Sequence, residues 1–140
     1  MTGYLLDTHI ILWLLNGKEK LNKNIREDID YFQHLYFASV ESLREIVILK
    51  SLEKLEIDDK LEKIISALEE RQINILPIEL EHIETLENLP LQEKNGKQHN
   101  DPFDRMLIAQ AITNKLTIIS SDSKFPFYKN CGLKLLVNEI

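Results

Sequence analysis

The chain has a single cysteine, Cys131, among its 140 residues. One thiol excludes an internal disulfide and any cysteine-based metal cluster. Long hydrophobic runs are missing too. The longest apolar stretch, Ile10 to Leu15 (IILWLL), is far too short to span a bilayer. No basic segment with a small-residue cleavage site opens the sequence, so a signal peptide is not expected and the expected location is the cytoplasm. Positive charge is in deficit. There are 17 basic and 23 acidic residues, for a net charge of −6. That balance argues against a surface coated for nucleic acid, while leaving room for a local site helped by metal ions. Repeats, low-complexity segments and a second domain are also absent. What is present is ordinary for a globular chain, 44% hydrophobic and 29% charged, and long enough for one core. The expectation is one domain over residues 1–140.

Apolar runs and helical spacings alternate along the chain. Tyr4–Leu6 reads as a strand opening into Asp7, and Thr8 is placed to cap a short helix that Gly17 stops. Leu21 to Tyr31 has helical spacing. Leu35 to Ala38 (LYFA) reads as a second strand, with Ser39 as N-cap of a helix through VESLREIVILK. Helical spacing over Asp58 to Arg71 is followed by a third strand at Ile73 to Ile78, then an acidic helix from Glu79 to Leu89. Pro90 to Asn100 reads as the longest loop. Asp101 to Asn114 is the strongest helix signal, with strands at Leu116–Ser120 and Leu133–Val137 beyond it. The strands are apolar throughout rather than alternating, which suits a sheet covered on both faces. The expected class is α/β with a mainly parallel sheet of about five strands. In such sheets ligands bind beyond the carboxyl ends of the strands.

Two strands end in an acid: Asp7 follows YLL and Asp122 follows TIISS. Each also has a local reading, as a helix cap or a turn residue. The stretch HNDPFDRM sharpens the question. Asp101 as N-cap with Pro102 at the first helical position explains Asp101 fully. Asp104 is explained less well, because on a helix it shares a face with Leu107, Ile108 and Ala111. An acid at the head of a core-facing stripe needs a cation or another partner. Glu45 poses the same problem beside Ile48 and Leu49, with Glu41 one turn earlier; a surface ion pair with Arg44 or Lys50 is the local alternative. Asp7, Glu45, Asp104 and Asp122 thus converge in principle. Gathered carboxylates repel unless something positive sits between them. Oxygen ligands without cysteine or paired histidine select Mg²⁺ or Mn²⁺, and such sites commonly serve phosphate chemistry.

At these residues the sequence resembles a known family. "LLDTHIILWLL", "ASVESLREI", "HNDPFDRMLIAQA" and "IISSD" look like the four signature segments of PIN-domain proteins, nearest the VapC-type toxins of toxin–antitoxin systems. They occur in the family's order from Leu5 to Asp122, and the third is the most specific. The resemblance implies a three-layer α/β/α fold and a Mg²⁺- or Mn²⁺-dependent ribonuclease. It assigns the metal-binding acids to Asp7, Glu45, Asp104 and Asp122. It makes Asp101 a nearby acid that is first a cap. Arg105 is a candidate to touch the scissile phosphate or pair with a carboxylate, and Ser120 to orient a water. His99 is expected in a loop hydrogen bond. A small antitoxin and a homodimer are the implied partners. The segment SLREI has Arg44 where this branch commonly has an aromatic residue, and Ser120 stands where Thr is commoner; neither change removes a ligand.

The expected activity is hydrolysis of single-stranded RNA at those acids, with Lys18, Lys50, Lys124 and Lys129 as candidates to track the backbone. The apolar helical surface between Ile25 and Phe32 reads either as an interface or as core. Two other classes compete. A receiver-like phosphoacceptor domain also gathers acids at strand ends, but it needs a late-strand lysine and an acid pair where Asp7 stands alone. A catalytically idle PIN-like binding module would keep the fold without the reaction. A structure-specific DNA nuclease would need duplex-binding elements that this compact chain lacks.

Overall fold

The structure, a computed structural model, describes residues 3–55, 57, 59–94, 97–122 and 125–139, without the side chains of 92–94, 97–99, 126 and 127. Chain order is β1 (Gly3–Leu6), α1 (Thr8–Asn16), α2 (Lys23–Asp30), β2 (Leu35–Ser39), α3 (Val40–Ser51), α4 (Leu61–Glu70), β3 (Ile73–Leu76), α5 (Leu80–Asn88), β4 (Gln92–Lys94), β5 (Lys97–His99), α6 (Pro102–Asn114), β6 (Thr117–Ser120) and β7 (Lys134–Val137). Short 3₁₀ segments cover Lys18–Lys20 and Phe125–Cys131.

Five strands form one parallel sheet in the order β3-β2-β1-β6-β7. Successive residues of a strand face opposite sides, and β1 uses this to feed two cores. Leu6 packs with Ile10, Ile25, Ile29, Leu43, Ile46 and Ile64 from α1 to α4. Leu5 packs with Leu107, Ile108, Ala111, Phe125 and Tyr128 on the other side. The result is three layers, α/β/α, as the apolar strands predict. Ile25 and Ile29 are therefore core; of the large apolar residues in that stretch, Tyr31 and Phe32 are exposed. Helix α6 is buried continuously from Met106 to Ala111. It lies between the sheet, α3 and α5, and two polar pairs lock it to α5: His82 with Asn114 at 2.7 Å and Thr85 with Thr113 at 2.6 Å.

The chain builds β1, β2 and β3 in one direction, then returns to add β6 and β7 on the other side of β1. The strand order thus reverses between β1 and β6, and the crevice at their carboxyl ends is the switch point of the sheet.

Two local expectations change. Asp7, not Thr8, is the N-cap of α1: its side chain accepts from the Thr8 N–H. The stretch from Pro90 to Asn100 holds an antiparallel hairpin, β4 with β5, in register Gln92 to His99. Its strands are polar, so hydrophobic patterning gives no sign of them, although Asn95-Gly96 is a hairpin dipeptide in the sequence. Lys124 and the His99 side chain lie outside the described residues.

Leu107 is fully buried in the second core. Leu107→Ala should lower the unfolding free energy by about 3 kcal/mol, the usual cost of a buried leucine cavity, measured by urea denaturation.

Candidate active site

The switch point is where the predicted acids meet. Asp7 extends β1 by one residue, and its N–H donates to the Ile119 carbonyl of β6 at 3.0 Å. It is only 4% exposed. Both carboxylate oxygens are held: Oδ1 accepts from the Thr8 N–H at 2.7 Å, and Oδ2 from the Ser120 hydroxyl at 2.8 Å. Ser120 Oγ in turn accepts from the Asp122 N–H at 2.9 Å. Ser120, read from sequence as a candidate to orient a water, bonds two acids, the Asp7 carboxylate through its proton and the Asp122 N–H through a lone pair.

Helix α3 starts directly after β2, capped by Ser39, whose side chain accepts from the Glu41 N–H at 3.0 Å. Glu45 is half-buried one turn further along. The Thr8 hydroxyl ties α1 to α3 through Ser42 Oγ at 3.0 Å. Helix α6 starts at Asp101, whose carboxylate caps it by accepting from the Asp104 N–H at 2.9 Å.

The electrostatics show how closely the acids are gathered. Asp104 is pushed up to about 8, first by burial, then by the charges of Asp7, Asp101, Asp122 and Glu45. One carboxyl thus feels every other acid of the predicted set. Asp7 is pushed up to about 6 by burial, against the pull of its Ser120 and Thr8 hydrogen bonds. Glu45 is also raised by burial, with a Thr8 hydrogen bond lowering it and Asp101 raising it further. His9 lowers both Asp7 and Glu45; its place near the acids has no signal in the sequence beyond standing two positions after Asp7.

The basic residues are arranged differently from expectation. Arg105 does not pair with a carboxylate among the described residues. Its guanidinium donates to the carbonyls of Leu89 at 2.7 Å and Pro90 at 3.1 Å, and to the Tyr128 hydroxyl at 3.2 Å. It fastens the segment after α5 to the start of α6. Lys18 pairs with Asp30 at 3.6 Å, and Lys50 donates to the Asp59 carbonyl. Lys129 is exposed. Arg44 pairs with the nearly buried Glu41 at 2.8 Å and sits 5.1 Å above the centre of the Phe103 ring. The first contact stays within α3, and the second joins α3 to α6 beside Glu45 and Asp104. Sequence reading missed this pair because the ring lies 59 positions from the arginine.

Among the described residues, no three acids, histidines or cysteines are disposed to hold a metal ion as they stand. The donor chemistry nevertheless fits a hard divalent cation. The groups are carboxylates. Burial raises both Asp7 and Asp104, and for Asp104 the neighbouring acids add to it, so a cation would relieve both the burial of charge and the repulsion.

Comparison with known proteins decides the family. The PIN-domain profile matches residues 4–130. The chain belongs to the PIN-domain family. No curated protein matches it significantly in sequence. Solved structures share the fold at low identity. The chain is similar to VapBC2 from Rickettsia felis bound to a promoter DNA fragment, with TM-score 0.69, 16% identity, and 99% of this chain and 100% of that one covered. It is similar to VapBC-1 from nontypeable Haemophilus influenzae, with TM-score 0.62, 18% identity, and 97% and 98% covered. A toxin–antitoxin complex from Klebsiella pneumoniae gives TM-score 0.56, 18% identity, and 89% of each chain. Family membership leaves the receiver-like reading without support.

Two outcomes follow for this PIN domain. An acid whose folded pKa is raised holds more protons folded than unfolded, so stability falls as pH rises between the two values. For Asp104 that window runs from 3.8 to about 8. Metal-free Asp104→Asn should therefore melt above the parent at about pH 8, with the advantage gone near about pH 4; a parent that melts higher at the alkaline end would contradict the crowding of acids. Arg105→Ala should cost about 2 kcal/mol in urea titration, since it strips a charged donor from three acceptors. A fall in cleavage beyond the loss of folded protein would return Arg105 to the substrate.

Proposed function

We propose that the protein is a metal-dependent ribonuclease that hydrolyses phosphodiester bonds of single-stranded RNA. The observation that carries this reading is the crowding of Asp7, Glu45, Asp101 and Asp122 around Asp104 at the switch point of the sheet. Asp7, Glu45, Asp104 and Asp122 would hold Mg²⁺ or Mn²⁺. A divalent ion bound there supplies Lewis acidity for hydrolysis of a phosphodiester.

The chain's own residues do the positioning. Ser120 and the Thr8 N–H fix the plane of the Asp7 carboxylate. Ser120 also anchors the backbone that presents Asp122. Asp101 starts α6 so that Asp104 falls at its third residue, on the inward side. Preorganised groups of this kind need no rearrangement of the scaffold during reaction.

Membership in the PIN family and the fold shared with toxin–antitoxin complexes support a second part of the reading. The protein acts as the toxin of a toxin–antitoxin pair in the cytoplasm, held inactive by a cognate antitoxin and forming a homodimer. Among the described residues no helix is long and apolar enough to cross a membrane. The idle-module alternative draws on one observation: among the described residues no ready-made three-ligand cluster is present.

Cleavage of mixed labelled single-stranded RNAs with Mg²⁺, with Mn²⁺ and with EDTA, beside Asp104→Asn, separates the two. Metal-dependent cleavage that falls at least about a hundredfold in the variant is the expected result. Intact RNA in every lane, from protein that takes up no metal in a calorimetric titration, would leave the idle module.

A further inference from the structure

Helix α1 leads away from the acids along a stripe of a different character. His9, Trp13 and Asn16 stand at i, i+4 and i+7, on one helix face, and Lys20 continues the line beyond Gly17. With Lys54 and Leu55, which follow α3, they line a cleft of about 250 Å³. No acid lines it among the described residues, although the whole chain carries −6. One end is at the candidate active site, since His9 acts on both Asp7 and Glu45. The indole of Trp13 lies 5.9 Å from the His9 ring. It also lies over Gly17, where a Cβ would come within 3.3 Å of the ring, so glycine lets the ring lie against the backbone. Lys20 is anchored through its carbonyl, which accepts from the buried Asn138 side chain at 3.0 Å. Unlike Lys18 and Lys50, neither Lys20 nor Lys54 has an ion pair or a side-chain hydrogen bond among the described residues.

An aromatic ring between cations is the arrangement that holds single-stranded nucleic acid: bases stack on the ring and phosphates lie on the lysines. We propose that the cleft along α1 is the substrate path, with a base of the RNA stacked on Trp13 and its neighbouring phosphates on Lys20 and Lys54. The inference rests on the ribonuclease reading and assigns where the strand lies before it reaches the acids. An acidic peptide would use the lysines but would leave the ring without a stacking partner, which is why RNA is favoured.

Trp13 is the one tryptophan of the chain, so its emission reports on this cleft alone. The test adds a short labelled single-stranded RNA to the full-length Asp104→Asn protein and follows tryptophan emission together with RNA anisotropy. Saturable quenching that tracks the anisotropy is expected. Lys20→Gln with Lys54→Gln should weaken binding about tenfold at physiological salt and flatten the log K against log salt slope by about 1.4, at ~0.7 per phosphate contact. Trp13→Phe should keep the anisotropy signal, and Trp13→Leu should weaken it. Rising anisotropy with steady emission and an unchanged salt slope would place the strand elsewhere, overturning the path while leaving the ribonuclease reading intact. Equal quenching by oligo-glutamate would make the cleft an acidic-peptide site and also overturn it. Neither binding nor metal-dependent cleavage by the parent protein would overturn both.

Discussion

Carboxylates resist being gathered in a place with little water, and the rest of this structure is arranged around that resistance. Asp104 feels four other acids and Asp7 is almost fully enclosed. They do not splay apart because each is fixed to an element that cannot move. Asp7 is the residue after a central strand whose neighbours bury Leu5 and Leu6 completely. Asp104 heads a helix whose next turns are buried all round, and Glu45 rides on a helix that starts without a loop after β2. Packing energy of two cores thus holds in place a charge arrangement that is unfavourable alone. Functional sites commonly retain such local conflicts, at some loss of stability.

Much of this is written in local sequence. The apolar strands and capped helices foretell three layers, and Asp104 stands out because an acid at the head of an apolar stripe breaks the helical pattern. The end of a strand is likewise a local feature, so Asp7 and Asp122 are legible. Partners are not. Ser120 reaches Asp7 across 113 positions, and Arg105 reaches the Leu89 carbonyl across 16. Both meetings depend on which strands lie side by side and where the chain turns back. Arg105 shows the hazard. Its place beside Asp104 suggests chemistry, whereas its side chain points to the segment after α5 and closes it. The hairpin at β4 and β5 was hidden for the opposite reason: its segments, QEK and KQH, hold no apolar residue, so hydrophobic periodicity does not mark them.

The distribution of positive charge changes what the net charge means. A total of −6 suggests a poor partner for RNA when read as an average. In the structure several acids are drawn inward to one point, and part of the basic complement is used internally, as with Arg105 and Lys50. A bound cation would reverse the field at the acids themselves. Average charge governs solubility and long-range encounter; local charge governs what docks.

Asp7 also removes a false choice. Capping a helix and serving a reactive site look like rival explanations of one residue when only the sequence is in view. A carboxylate has two oxygens and about four lone-pair sites. In this structure the Thr8 N–H uses one on Oδ1 and the Ser120 hydroxyl one on Oδ2. Those bonds set the plane of the group and leave lone pairs on both oxygens. The same two bonds stabilise the ionised form against the burial that opposes it. Capping is thus the means by which the Asp7 carboxylate is held in one orientation and its ionised form is favoured against burial. The same holds for Asp101, whose cap fixes the register of α6 and with it the position of Asp104.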